Sequence, residues 1–187
     1  MFTYRIGTVL GLLALAAPGY GGERQLVIEP AQTHVDVVVH ATVDSFTGKL
    51  AKFDSAVAVG DDGRVLSARV AFNFRDVFTG KDGRDKAMHK WQDTDKFPDG
   101  VFVLTSLDSA STPDQGQIAI GRLTLHGVAR ELRFPVTVVR AGETYAIAGD
   151  ATVDTREFGL PIIRMMAVLK VDPLVHVKFH LQGRCPR

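Results

Sequence analysis

A period of two recurs through almost the whole chain, and this limits the fold more than any other feature. In "HVDVVVHA", Val35, Val37, Val39 and Ala41 share one face, while His34, Asp36, Val38 and His40 share the other. "SARVAFNFR" sets Ala68, Val70, Phe72 and Phe74 against Arg69, Ala71, Asn73 and Arg75. "ELRFPVTVV" and "LVHVKFHL" repeat the pattern through Leu132, Phe134, Val136 and Val138, and through Val175, Val177, Phe179 and Leu181. Successive side chains of a strand point to opposite faces, so each stretch reads as a strand with one buried side. Phe46 to Leu50 and Ser55 to Val59 alternate more loosely; Val101 to Leu107, Gln117 to Leu125 and Tyr145 to Thr155 complete nine candidate strands. Gly, Asp or Pro turns separate them, Gly60-Asp61-Asp62-Gly63 being the strongest hairpin signal. The expectation is an all-β sandwich or barrel.

Two segments depart from the alternation. Asp76 to Asp99 is too long for a hairpin loop and needs structure of its own. A short helix fits it, with Asp82 as N-cap, Asp85 in the first turn, and Met88 and Trp91 three apart on one face. The other is "REFGLPIIRMMAVLKVDP", where Ile162, Ile163, Met165 and Met166 cluster.

So many one-sided strands must hide their apolar faces, and one short helix cannot cover them. A closed antiparallel barrel of about eight strands solves this and removes exposed edges, and its interior can be filled by side chains or hold one small ligand. The phenylalanines are on one reading simply core. Against that, the inward positions include Gly48, Ala68, Gly149 and Ala151, which leave volume that a solid core would fill. The expected wall of a ligand site is Val37, Val39, Val70, Phe72, Phe74 and Leu125, continued by Phe134, Ile147, Val177 and Phe179. Met88 and Trp91 from one irregular segment, and Phe158, Leu160 and Met165 from the other, either plug or gate one end. Arg84, His89 and Arg164 are the candidates for polar contacts at the mouth.

The first residues, "MFTYRIGTVLGLLALAAPGYGG", have the layout of a secretory signal peptide spanning about residues 1–19: Arg5, then a 12-residue apolar run from Ile6 to Ala17, then small residues. That run is shorter than the roughly 20 apolar residues of a membrane-spanning helix. A periplasmic protein is expected, with one domain over residues 25–183. The whole chain has 22 basic and 21 acidic residues. Loss of Arg5 with the signal leaves 21 of each, and so balanced a surface argues against a nucleic-acid partner. Cys185 is the sole cysteine and has no internal disulfide partner.

No nucleophile elbow, zinc-protease helix, phosphate loop or haem-attachment motif occurs, so no enzyme activity and no cofactor are expected. The six histidines raise a rival reading, a periplasmic metal-binding protein or hydrolase using surface histidines. His34, Asp36 and His40 share one strand face, as do His176 and His180; pairing of the first and last strands would bring these together outside the barrel. Imidazole and carboxylate suit zinc, but no compact ligand spacing appears, and an exposed polar face is the plainer reading.

Several strings converge on a known family. "IEPAQTHVDVVV" (Ile28 to Val39), "GRDKAMHKW" (Gly83 to Trp91) with "DKFP" (Asp95 to Pro98), "LTLHGVARELRFPV" (Leu123 to Val136) and "REFGL" (Arg156 to Leu160) together resemble the YceI-like exported lipid-binding proteins. The resemblance implies an eight-stranded, lipocalin-like antiparallel barrel with a short helix. It also implies a long apolar pocket for a polyisoprenoid, an isoprenoid quinone or a similar amphiphilic lipid, with a possible membrane partner for ligand exchange. The chain departs from the family pattern where Glu29 and Gln32 replace Asp and His, and where Ala41 replaces a His.

Overall fold

The computed structural model describes residues 22–42, 44–109, 116–165 and 169–186. The expected signal peptide and Met166 lie outside the described residues. Nine long strands form the wall. They are β1 (His34–Ala41), β2 (Ser45–Leu50), β3 (Phe53–Val59), β4 (Val65–Asn73), β5 (Asp99–Ser109), β6 (Gln117–Leu125), β7 (Val128–Ala141), β8 (Thr144–Asp154) and β9 (Leu169–Arg184). With four two-residue strands they make one sheet of 13, against the eight strands expected. Two of the short strands, Arg24–Gln25 and Val77–Phe78, extend the ladder at its ends, and the other two pair with β9, each satisfying backbone groups that would otherwise stay unpaired.

The hydrogen-bonded order of the long strands is β3-β4-β5-β6-β7-β8-β9-β1-β2, and every described pairing is antiparallel. All but one of these pairings join strands adjacent in sequence. The last strand meets the first, with His176 opposite Val38, Val177 opposite Val37 and Phe179 opposite Val35. The first and last strands thus pair, but the ladder does not close into the full barrel expected, because β2 and β3 are not hydrogen-bonded to each other. β2 and β3 follow each other with only Ala51 and Lys52 between them, yet stand at the two ends of the order. The sheet is therefore a strongly curled half-barrel whose edges the chain joins covalently.

One end is closed by residues 24–28. Arg24–Gln25 pairs with β3, while Val27–Ile28 pairs with β9, so the segment straps the two strands together. Leu26, between the two short strands, is buried and packs with Val57, Val59, Tyr145, Leu181 and Cys185. Glu29 holds the strap to β9 through an ion pair with Arg184 at 2.7 Å and a hydrogen bond from Gln182 Nε2 at 3.0 Å. Two-residue turns join β6 to β7 and β7 to β8. His126 and Gly127, between β6 and β7, both have positive φ, at 48° and 73°, the backbone of a type I′ turn whose twist suits paired strands.

Helix α1 (Asp82–Gln92) lies where the sequence placed it, but with Lys81 rather than Asp82 as N-cap. The Asp85 carboxylate does not cap the helix; it accepts hydrogen bonds from the Thr79 backbone N–H at 2.9 Å and hydroxyl at 2.5 Å. Both acids remain in the first turn, where they favour the positive end of the helix.

Candidate functional site

The inward face is apolar around the curl. On β1, β4, β8 and β9 its members include Val35, Val37 and Val39; Ala68, Val70 and Phe72; Ile147 and Val153; and Val177 and Leu181. None is charged. Three buried clusters divide the interior. One lies at the strapped end and includes Phe134 and Ile147; a second gathers Leu123, Leu125, Val153 and Phe158; a third gathers Val35, Leu50 and Val77. Phe72 and Phe74 pack against the second and third clusters, Phe179 against the first and third, and Val177 against all three. These four side chains nevertheless remain only partly buried. They border more than one cluster while keeping part of their apolar surface accessible.

The expectation that inward glycines leave empty volume needs correction. A Cβ added to Gly149 would come within 2.6 Å of the Phe179 ring, and one on Gly100 within 2.3 Å of the Phe72 ring. Gly121 stands in the same relation to Phe102, at 2.4 Å. Phe72 faces Gly100 and Phe179 faces Gly149 across their ladders. Each ring is laid down over the glycine on the neighbouring strand. The glycine gap is filled, but by a ring folded against the wall rather than standing into the lumen.

The expected wall residues fall into three groups. Leu125, Phe134, Ile147, Phe158 and Leu160 are buried. Phe72, Phe74, Met88, Val177 and Phe179 are half-buried at the borders of the clusters. Val37, Val39 and Val70 are half-buried and belong to none of the three clusters among the described residues. The Met165 side chain lies outside the described part. Sequence reasoning missed Phe53 and Phe102, each of which borders two clusters. The parity of Phe102 with Leu104 on β5 carried that signal.

The two irregular segments meet. Met88 on α1 packs against the third cluster, and Trp91 donates its indole N–H to the Pro161 carbonyl at 2.7 Å. Around Phe158, the turn Thr155–Phe158 is pinned from several sides. Asp154 accepts from the Arg156 backbone at 3.0 Å and pairs with its guanidinium at 2.5 Å. The hydrogen bonds from Arg156 hold the Asp154 carboxyl below the usual carboxylate range. Thr155 donates to the Pro173 carbonyl at 3.0 Å. His126 Nδ1 lies 3.1 Å from the Phe158 carbonyl oxygen, with its ring 4.2 Å from that of Phe97. His126 thus ties the β6–β7 hairpin to the second irregular segment.

Of the candidate mouth residues, Arg84 lies over the Phe46 ring at 4.0 Å and His89 Nδ1 approaches the Thr94 hydroxyl at 3.4 Å. Arg164 is exposed on a two-residue strand paired with β9. Nothing brings the three together. The strand histidines do meet on the outer face: His34 stacks on His180 with centroids 5.6 Å apart, and His40 meets His176 edge-on at 5.8 Å. Among the described residues no three His, Cys, Asp or Glu side chains form a group able to hold a metal.

The family model for the YceI-like domain matches residues 26–183. The chain belongs to the YceI-like family. Solved structures of similar fold include BcnA of Burkholderia cenocepacia, at 22% identity and a TM-score of 0.71, with 83% of this chain and 98% of that one covered. A polyisoprenoid-binding domain from Saccharophagus degradans aligns at 16% identity and a TM-score of 0.63, over 87% of this chain and 99% of that one. The YceI protein of Campylobacter jejuni aligns at 12% identity and 0.61, over 78% and 88%. No curated protein sequence matches the chain. At these identities the likeness is one of fold. No helix among the described residues is long and apolar enough to cross a membrane.

Proposed function

We propose that this YceI-like protein is a non-enzymatic, exported carrier that holds a long apolar molecule, a polyisoprenoid, isoprenoid quinone or similar lipid, within the curl of its sheet. The observation that carries the reading is the half-buried set Phe72, Phe74, Val177 and Phe179, which border the buried clusters while keeping free apolar surface. Val37, Val39 and Val70 extend that surface. The polyisoprenoid-binding domain of similar fold supports the ligand class.

The mechanism is desolvation. Each buried methylene contributes about 0.8 kcal/mol, so ten methylenes offer roughly 8 kcal/mol before the entropic cost of ordering the chain. Such a site selects for length and flexibility rather than for a particular head group. Export follows from the signal-like N-terminus, and a membrane is the natural place for exchange of a ligand so poorly soluble in water.

Mass spectrometry of lipids extracted from the purified native protein tests the proposal. A bound isoprenoid or other long-chain lipid at near-stoichiometric amount is expected. Protein that is free of lipid and that also fails to take up a long-chain isoprenoid alcohol in vitro overturns it.

A further inference from the structure

The seam between β9 and β1 carries a second feature on its outer side, independent of the interior and its ligand. The ladder loses register between Val171 and Val175, so Asp172, Pro173 and Leu174 leave it. A groove of about 300 Å³ opens there, lined by His40, Ala41, Thr42, Lys170 and Asp172. His176 stands one residue beyond the irregularity, with its ring 5.8 Å from that of His40 and inclined at 72°. Both rings are anchored through Nδ1. His40 Nδ1 is 2.9 Å from the Ser45 hydroxyl; His176 Nδ1 is 3.2 Å from the Thr152 hydroxyl and 3.6 Å from Asp150. A ring held at Nδ1 by a hydrogen bond presents its other nitrogen, as a metal-ligating histidine does.

We propose that Nε2 of His40 and Nε2 of His176 bind one divalent transition-metal ion of the zinc, nickel or copper class, with its remaining coordination positions open to the groove. The distances allow it. A metal–nitrogen bond of about 2.0–2.1 Å puts the ion about 3.2 Å from each ring centroid, and a tetrahedral angle then sets the centroids about 5.2 Å apart. The observed 5.8 Å needs only a small inward swing of two surface side chains. The other pair is a poorer chelate despite its shorter separation. His34 and His180 are stacked with planes only 18° apart, and nitrogen lone pairs lie in the ring planes, so those of stacked rings do not converge. Asp172 adds a carboxylate to the groove, and Lys170 balances it. Two protein ligands make an open, exchangeable site.

The experiment uses the full-length mature protein without a histidine tag, stripped with a chelator and titrated with zinc ions by calorimetry and with cupric ions by electron paramagnetic resonance. One ion per chain is expected, with two nitrogen ligands in the copper spectrum. His40→Ala and His176→Ala should each weaken binding by at least about tenfold, and His34→Ala should leave it unchanged. Thr152→Val keeps both imidazoles but loosens one, and should weaken binding by a smaller factor. Zinc should also raise the melting temperature, because the ion ties β1 to β9. Binding that survives both His40→Ala and His176→Ala, binding lost instead in His34→Ala or His180→Ala, or no binding of either ion overturns the proposal.

Discussion

Gly100→Ala tests whether rings folded over glycines keep the interior open. The new Cβ would sit 2.3 Å from Phe72 Cζ, 2.6 Å from its Cε1 and 2.9 Å from Leu125 Cδ2. Ordinary carbon–carbon contact begins near 3.5 Å, so the ring must retreat by about 1.2 Å. All three obstructing atoms belong to side chains, so the ring rather than the backbone yields. Phe74 lies against Phe72 with ring centroids 5.3 Å apart, which leaves the lumen as the way out. Overpacking of this kind costs about 1–3 kcal/mol of stability. A ring swung inward denies the ligand roughly two methylenes of contact, about 1.6 kcal/mol, or about fifteenfold in affinity. The assay is titration of the folded variant with a long-chain isoprenoid alcohol, followed by Trp91 fluorescence, beside a thermal melt. Phe72→Leu in the same background should restore much of the affinity, because the shorter side chain no longer reaches the new methyl group. Unchanged affinity in the Gly100→Ala protein would refute the claim that the Phe72 ring borders the ligand.

Other outcomes follow from the same geometry. Lys in place of buried Leu125 or half-buried Val177 should abolish lipid retention, since an unpaired ammonium is costly in an apolar cavity; lipid extraction from the folded variants measures it. Trp91→Phe removes the hydrogen bond to Pro161, worth about 1 kcal/mol, and should speed ligand release roughly fivefold in a stopped-flow chase if α1 and the 155–163 segment gate the interior. An unchanged rate would leave both segments as a plug. Because hydrogen bonding to Arg156 depresses the folded-state Asp154 pKa, its stabilising effect is fully present above the unfolded carboxylate value of about 3.9 and is lost as pH falls through the lower folded value. Asp154→Asn should therefore flatten the acid limb of the unfolding curve below about pH 4; an identical limb in wild type and variant would contradict this.

Much of the wall was legible in the chain because a strand writes its orientation into alternate residues. Val35, Phe72, Phe134 and Phe179 share one side of the sheet as their parity requires. Boundaries were less legible. β7 begins at Val128 and β9 runs from Leu169 to Arg184, both well beyond their clean alternation. Backbone pairing continues there after one-sided burial has stopped, and pairing leaves no mark in side-chain type. β5 slips register near Ser106, so one parity does not serve the whole strand.

The amino-acid sequence by itself determined that this protein is all-β, that its strands each hide one apolar face, and that two segments stand apart from them. Local rules suffice for that, since side-chain alternation and turn chemistry act over a few residues. Only the tertiary structure decided which surfaces meet. It laid Phe72 over Gly100 and Phe179 over Gly149, strapped β3 to β9 with residues 24–28, joined Trp91 to Pro161, and paired His34 with His180 and His40 with His176. Each of these contacts depends on the curl and register of the whole sheet. A one-residue slip in that register would send the strand side chains among them to the opposite face.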